Sequence, residues 1–142
     1  RALSRNPADQ RRGDRAEPYG FPEATSQAAC HAGRVLHAKA IVAFTQSGFT
    51  ARLISEERPD VPILALTPFP EVQRRLGLYW GVGSRLIRKV ETTDQMLDEI
   101  ESALLADGTV RNNDVLVIIS GSPMWVTGTT NLLKFPRAGV RR

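Results

Sequence analysis

Cysteine is almost absent from this chain: Cys30 stands alone among 142 residues. An internal disulfide and an all-cysteine metal cluster are thereby excluded, and a reducing, cytoplasmic setting is expected. No apolar stretch approaches the roughly 20 residues of a membrane-spanning helix, and no signal peptide is recognisable, so no membrane partner is expected. Histidine occurs twice, and the six-residue step from His31 to His37 does not bring both rings to one helix face. No metal site is therefore expected from them. Also missing is any Lys/Arg series interleaved with aromatics, which argues against specific nucleic-acid recognition.

What is present is ordinary globular composition, 42% hydrophobic and 24% charged. The length suits one domain with one core. The formal charge of +4 sits at the ends: residues 1–20 carry +2, residues 137–142 carry +3, and the rest sums to −1. Residues 1–22 read as a flexible basic lead-in, 23–139 as the folded domain and 140–142 as a basic tail. A chain that begins at Arg1 rather than Met reads as a processed or truncated piece.

Periodicity divides the domain. Ala28, Ala29, Ala32, Val35 and Leu36 recur at helical spacing from Glu23, behind a start signal at Thr25/Ser26. Lys39–Phe44 reads as a buried strand and Gly48–Glu57 as a helix. After the Arg58-Pro59-Asp60-Val61-Pro62 break, Ile63–Leu66 is the next strand. Thr67-Pro68 opens a helix to about Gly77, with Pro68 in its first turn. Leu86–Val90 reads as the third strand, Asp94–Ala106 as a helix capped by Thr93, Val115–Ile119 as the fourth strand and Thr130–Phe135 as the fifth. Alternating strands and helices predict a three-layer α/β/α domain around a mostly parallel five-stranded sheet. The gap before the last strand is too short for a helical crossover, so that strand should be antiparallel.

The most informative segment is Thr45-Gln46-Ser47-Gly48-Phe49-Thr50, where a strand turns into a helix. Ser47 is placed to cap the helix, leaving the N–H groups of Gly48, Phe49 and Thr50 pointing forward. The hydroxyls of Thr45, Ser47 and Thr50 would converge there, and Gly48 would let a ligand approach the backbone. Such a turn can hold a phosphate-type anion; the alternative is a capped turn that binds nothing. In open parallel sheets ligands gather at the carboxyl ends of strands, which here brings Thr45–Thr50, Thr67-Pro68 and Ser120–Thr129 to one edge.

Several motifs occur in order: Thr45-x-Ser47-Gly48-x-Thr50-Ala51-Arg52, Arg58-Pro59 with Pro62-Ile63, Leu76-x-Leu78-x-Trp80-Gly81-Val82, and Gly121 with Gly128-Thr129-Thr130-Asn131. Together they resemble the C-terminal domain of pyruvate kinase, over about Glu23 to Gly139. In that family the domain follows a (β/α)₈ barrel that transfers phosphate from phosphoenolpyruvate to ADP with Mg²⁺ and usually K⁺. The resemblance implies a glycolytic, allosterically regulated enzyme whose C-terminal domain makes subunit contacts, hence a homo-oligomer. It also implies a sugar-phosphate effector on Thr45, Gln46, Ser47, Gly48, Phe49 and Thr50, with the loop Ser122–Gly128, including Trp125, Thr127 and Gly128, closing over it.

The chain departs from the family where charge is concerned. Phe49 stands where a basic residue is frequent, Pro68 where some relatives have Arg, and the late loop has no Arg or Lys. Weak or altered effector binding is expected, with a single phosphate or sulfate favoured over a doubly phosphorylated sugar.

Asp94, Asp98, Glu99 and Glu101 fall on the solvent face of an amphipathic helix rather than forming a catalytic cluster. Trp80 reads as structural, whereas Trp125, in a loop, is a ligand or subunit contact. Cys30 reads as a small packed side chain. A (β/α)₈ barrel needs about 250 residues, and no carboxylate pair for Mg²⁺ is recognisable. This chain alone is therefore not expected to catalyse phosphoryl transfer. The alternatives are a stand-alone phosphometabolite-binding protein or small enzyme, and an interaction module acting through its basic tails.

Overall fold

The computed structural model describes residues 20–121 and 130–140. Most of the predicted lead-in and the loop residues Trp125, Thr127 and Gly128 lie outside the described residues.

Four helices and five strands follow in order: α1 (Phe21–Val35), β1 (Ala40–Phe44), α2 (Phe49–Glu57), β2 (Ile63–Thr67), α3 (Pro70–Leu76), β3 (Val82–Leu86), α4 (Thr93–Ala106), β4 (Leu116–Gly121) and β5 (Thr130–Lys134). They build one sheet of order β3-β2-β1-β4-β5. The β1–β2, β1–β4 and β2–β3 pairs are parallel and β4–β5 is antiparallel, as the sequence predicts.

The apolar runs of β1, β2 and β4 are continuous because both faces of the sheet are covered. Successive side chains alternate between those faces. Ile41, Ala43, Ile63, Ala65, Val117 and Ile119 pack with Ala29 of α1, Ala51 and Ile54 of α2, and Val72 and Leu76 of α3. Val42, Phe44, Leu64, Leu66, Leu116 and Ile118 pack on Met96, Leu97, Ile100 and Leu104 of α4. Beyond β5 the chain continues beside β4: the Leu116 N–H donates to Pro136 O at 2.9 Å and the Ala138 N–H to Asp114 O at 2.8 Å.

Several boundaries differ from the reading of the sequence. Helix α1 starts at Phe21, where Glu23 Oε1 accepts the Gly20 N–H at 3.1 Å, so Thr25 and Ser26 lie inside the helix. The third strand is Val82–Leu86 rather than Leu86–Val90. Being an edge strand, it is half-exposed and carries Gly83-Ser84-Arg85, which conceals it from an apolar pattern. Ile87 and Val90 are instead buried with α4 in the connection. Thr67 stays in β2 opposite Leu86, so Pro70 rather than Pro68 occupies the first turn of α3. The α4 cap is Thr92, whose Oγ1 accepts the Gln95 N–H at 3.1 Å.

Candidate functional site

Strand β1 lies between β2 and β4, and the chain leaves it toward β2 but returns to its other side as β4. The carboxyl end of β1 is thus the switch point of an open parallel sheet, where adjacent connections diverge and leave a crevice. The Thr45–Thr50 turn emerges there, between the end of β2 and the start of β5.

Buried Thr45 continues the ladder, its N–H donating to Leu66 O at 3.0 Å. Its Oγ1 accepts the Gly48 N–H at 2.8 Å. Ser47 Oγ accepts the Phe49 N–H at 3.3 Å. Gly48 itself is the N-cap, at φ 90°, and its carbonyl accepts the first helical bond from Arg52 N–H at 3.0 Å. A Cβ at Gly48 would sit 3.6 Å from Leu76 Cδ2, an ordinary contact, so the left-handed backbone rather than crowding calls for glycine.

This geometry corrects the predicted cap. Ser47 lies one residue before the cap position, and two of the three N–H groups expected to point forward are taken by hydroxyls. The N-cap glycine has no side chain to offer, so the Thr50 and Ala51 N–H groups receive no side-chain cap from it. Nor do all three hydroxyls converge. Thr50 Oγ1 turns toward β5 and lies 2.6 Å from Thr130 Oγ1, with both residues buried. The remaining residue of the turn, Gln46, is half-buried.

Arg75, at the end of α3, also reaches the turn. Its guanidinium donates to Ser47 O at 3.0 Å and brings a positive charge to the turn. Arg52 adds a second cation, stacked 5.4 Å over the Phe49 ring and paired with Glu56 at 3.7 Å. No local signal pairs Arg75 with Ser47 or Thr130 with Thr50, which lie 28 and 80 residues apart. Of the two cations only Arg75 reaches the turn, where it adds to the positive end of α2; Arg52 is offset by Glu56.

His31 accepts from Arg34 at 3.1 Å on the surface of α1, and exposed His37 ends that helix at φ 52°. Glu99 pairs with Arg88 at 3.0 Å, while Asp94 and Asp98 face solvent. Trp80 is half-exposed; its carbonyl accepts from Ser55 Oγ at 2.7 Å, and Arg58 lies 4.8 Å over its ring. Cys30 is half-buried, and its thiol is pushed up to about 11, mainly by burial and then by Glu57. Among the described residues, no group of three or more His, Cys, Asp or Glu is placed to hold a metal ion. No helix of the described residues is long and apolar enough to cross a membrane.

The profile of the family described as "Pyruvate kinase, alpha/beta domain" matches residues 23–135. A pyruvate kinase from Agrobacterium vitis is 43% identical over 118 residues, covering 83% of this chain and 25% of the relative. One from Lactobacillus delbrueckii subsp. bulgaricus is 39% identical over 117 residues, covering 82% and 20%. Among solved structures, a pyruvate kinase from Cryptosporidium parvum superposes with a TM-score of 0.75 at 28% identity, over 86% of this chain and 23% of that one. The chain thus spans about a quarter of the length of these relatives.

Proposed function

The chain belongs to the pyruvate kinase α/β-domain family, and on that premise we propose that it is the regulatory and assembly part of a cytoplasmic, glycolytic pyruvate kinase. In this reading a catalytic barrel elsewhere in the protein would transfer phosphate from phosphoenolpyruvate to ADP, using Mg²⁺ and K⁺. Phosphoenolpyruvate and ADP are not expected to yield pyruvate with this chain alone, which spans about a quarter of the length of its relatives.

The role of the domain would be to bind a phosphate-type anion at Thr45–Thr50 and to make subunit contacts. The observation that carries the binding reading is the turn's position at the switch point of the sheet, with Arg75 beside it. An anion there would meet the N–H groups of the first turn of α2 that no side chain caps, hydroxyls of the turn and a nearby guanidinium. With so few cations around it, one phosphate or sulfate suits the turn better than a sugar carrying two phosphates. Trp125, Thr127 and Gly128 belong to this proposal through the family resemblance alone.

Thermal stability against inorganic phosphate, sulfate, nucleotides and sugar phosphates tests the reading. A concentration-dependent rise in Tm is expected with phosphate or sulfate, and it should disappear in the Thr45→Ala/Ser47→Ala variant. No shift with any of these ligands would leave a capped turn that binds nothing. A micromolar Kd for fructose 1,6-bisphosphate would contradict the expected weakness for doubly phosphorylated sugars.

A further inference from the structure

Strand β5 is fastened to the fold at its two ends and held loosely between them. It is an edge strand, with β4 as its one neighbour in the sheet. Thr130 is its one buried residue; Leu132 and Leu133 are half-buried, and Asn131 and Lys134 are exposed. Past the strand the chain is anchored again. Pro136 O accepts the Leu116 N–H at 2.9 Å, and buried Ala138 accepts the Asn113 N–H at 2.7 Å through its carbonyl.

At the start of β5 the ladder is interrupted. Ser120 faces Leu132, but the next residue of β4, Gly121, faces Thr130, so Asn131 is an extra residue and β5 is bulged. Leu132 packs on the α4 side of the sheet and Leu133 on the side of α1, α2 and α3. Simple alternation would put Thr130 with Leu132, facing α4. The bulge weakens pairing there and re-aims Thr130 to the opposite face, where Thr50 of α2 lies. The two hydroxyl oxygens are 2.6 Å apart, and both residues are buried.

We propose that this hydroxyl pair is a latch: β5 swings away from β4 as a unit, hinging at Phe135-Pro136, while the rest of the sheet stays folded, and the Thr50–Thr130 bond holds it shut. The latch acts within the fold and depends on no ligand at the turn. A strand with one neighbour and few buried apolar side chains has little to oppose its opening. Either threonine can donate to the other, so the closed state satisfies both buried hydroxyls at once. Opening would strip the partner from β4, five of whose six residues are buried. An unpaired edge of that kind templates pairing with a foreign strand, so the latch also guards it.

Native-state hydrogen exchange on the full chain tests this, read at the amides through which β5 pairs with β4 and at those of β1 and β2. In wild type the β5 amides should exchange faster than those of β1 and β2, because they open without global unfolding. Thr130→Val keeps the side-chain shape, removes the hydroxyl and leaves that of Thr50 buried without a partner. It should speed β5 exchange by about tenfold. Adding Thr50→Val should bring no further acceleration, since the bond is already gone. Thr92→Ala removes a cap that stays intact when only β5 opens. It should speed exchange in β1 and β2 by about fivefold and leave β5 unchanged. If Thr130→Val does not fold, Thr50→Val breaks the same bond from the other side. Exchange of β5 as slow as that of β1 and β2, or accelerated by Thr92→Ala, overturns opening as a unit. Unchanged β5 exchange in Thr130→Val, or further acceleration in the double variant, overturns the latch.

Discussion

At the scale of single residues, environment decides what each chemical group does. Thr45, Ser47 and Thr50 have similar hydroxyls, yet the first two hold the turn together and the third reaches another strand. Cys30 is the clearest case of chemistry withheld. Its pKa of about 11, against an ordinary 9.0, reflects burial first, then the negative charge of Glu57, partly opposed by Arg34. At pH 8 the reactive thiolate should be about a hundredfold scarcer than in the unfolded chain. Iodoacetamide should therefore alkylate Cys30 about a hundredfold more slowly in native protein than in urea, as followed by mass spectrometry. The folded pKa is raised, so the thiol's contribution to stability is complete below pH 9.0 and is lost as pH rises through about 11. A Cys30→Ser variant should lose that alkaline component, and unchanged alkaline denaturation would refute it.

Among the elements, short-range chemistry sets where helices start and stop. α2 ends at Arg58, in the left-handed region at φ 49°, and Pro59 follows. The cap of α4 is a single hydroxyl, that of Thr92, while Gln95 Oε1 accepts the Glu91 N–H at 2.8 Å. Thr92 is exposed, so its removal deletes the cap without opening the core. Thr92→Ala should lower unfolding stability by about 1 kcal/mol, and Thr92→Ser should stay near wild type. Urea midpoints at a constant m-value give the measurement. The other end of α4 is tied to β3 by Arg85, whose Nε donates to Asp107 Oδ2 at 3.0 Å. Thr109 first, then Arg85, hold the Asp107 carboxyl below its ordinary value. These side chains keep 40% and 38% of their surface in water, so the pair adds little to stability.

For the whole molecule, the outer surface is less finished than the core. Phe21 is 77% exposed, Leu78 82% and Trp80 51%. Large exposed apolar side chains favour association when they form a patch. Sedimentation velocity at high protein concentration should show self-association, reduced by Leu78→Asp with little change in Tm because Leu78 has little burial to lose. A strictly monomeric wild type would count against association through Leu78.

The sequence by itself determined the layered α/β class, the antiparallel last strand and the presence of a turn between β1 and α2. These follow from periodicity, loop length and glycine chemistry, all properties of neighbouring residues. Its motifs also sufficed to suggest the family. Edge strand β3 escaped because a half-exposed strand need not be apolar, and pairing with β2 alone defines it. Tertiary structure decided the rest: Arg75 reaching the turn, the bulge that rotates Thr130 toward Thr50, and Gly48 rather than Ser47 at the cap. Those outcomes depend on contacts across many residues and on a backbone angle chosen by packing, and local propensity carries no record of either.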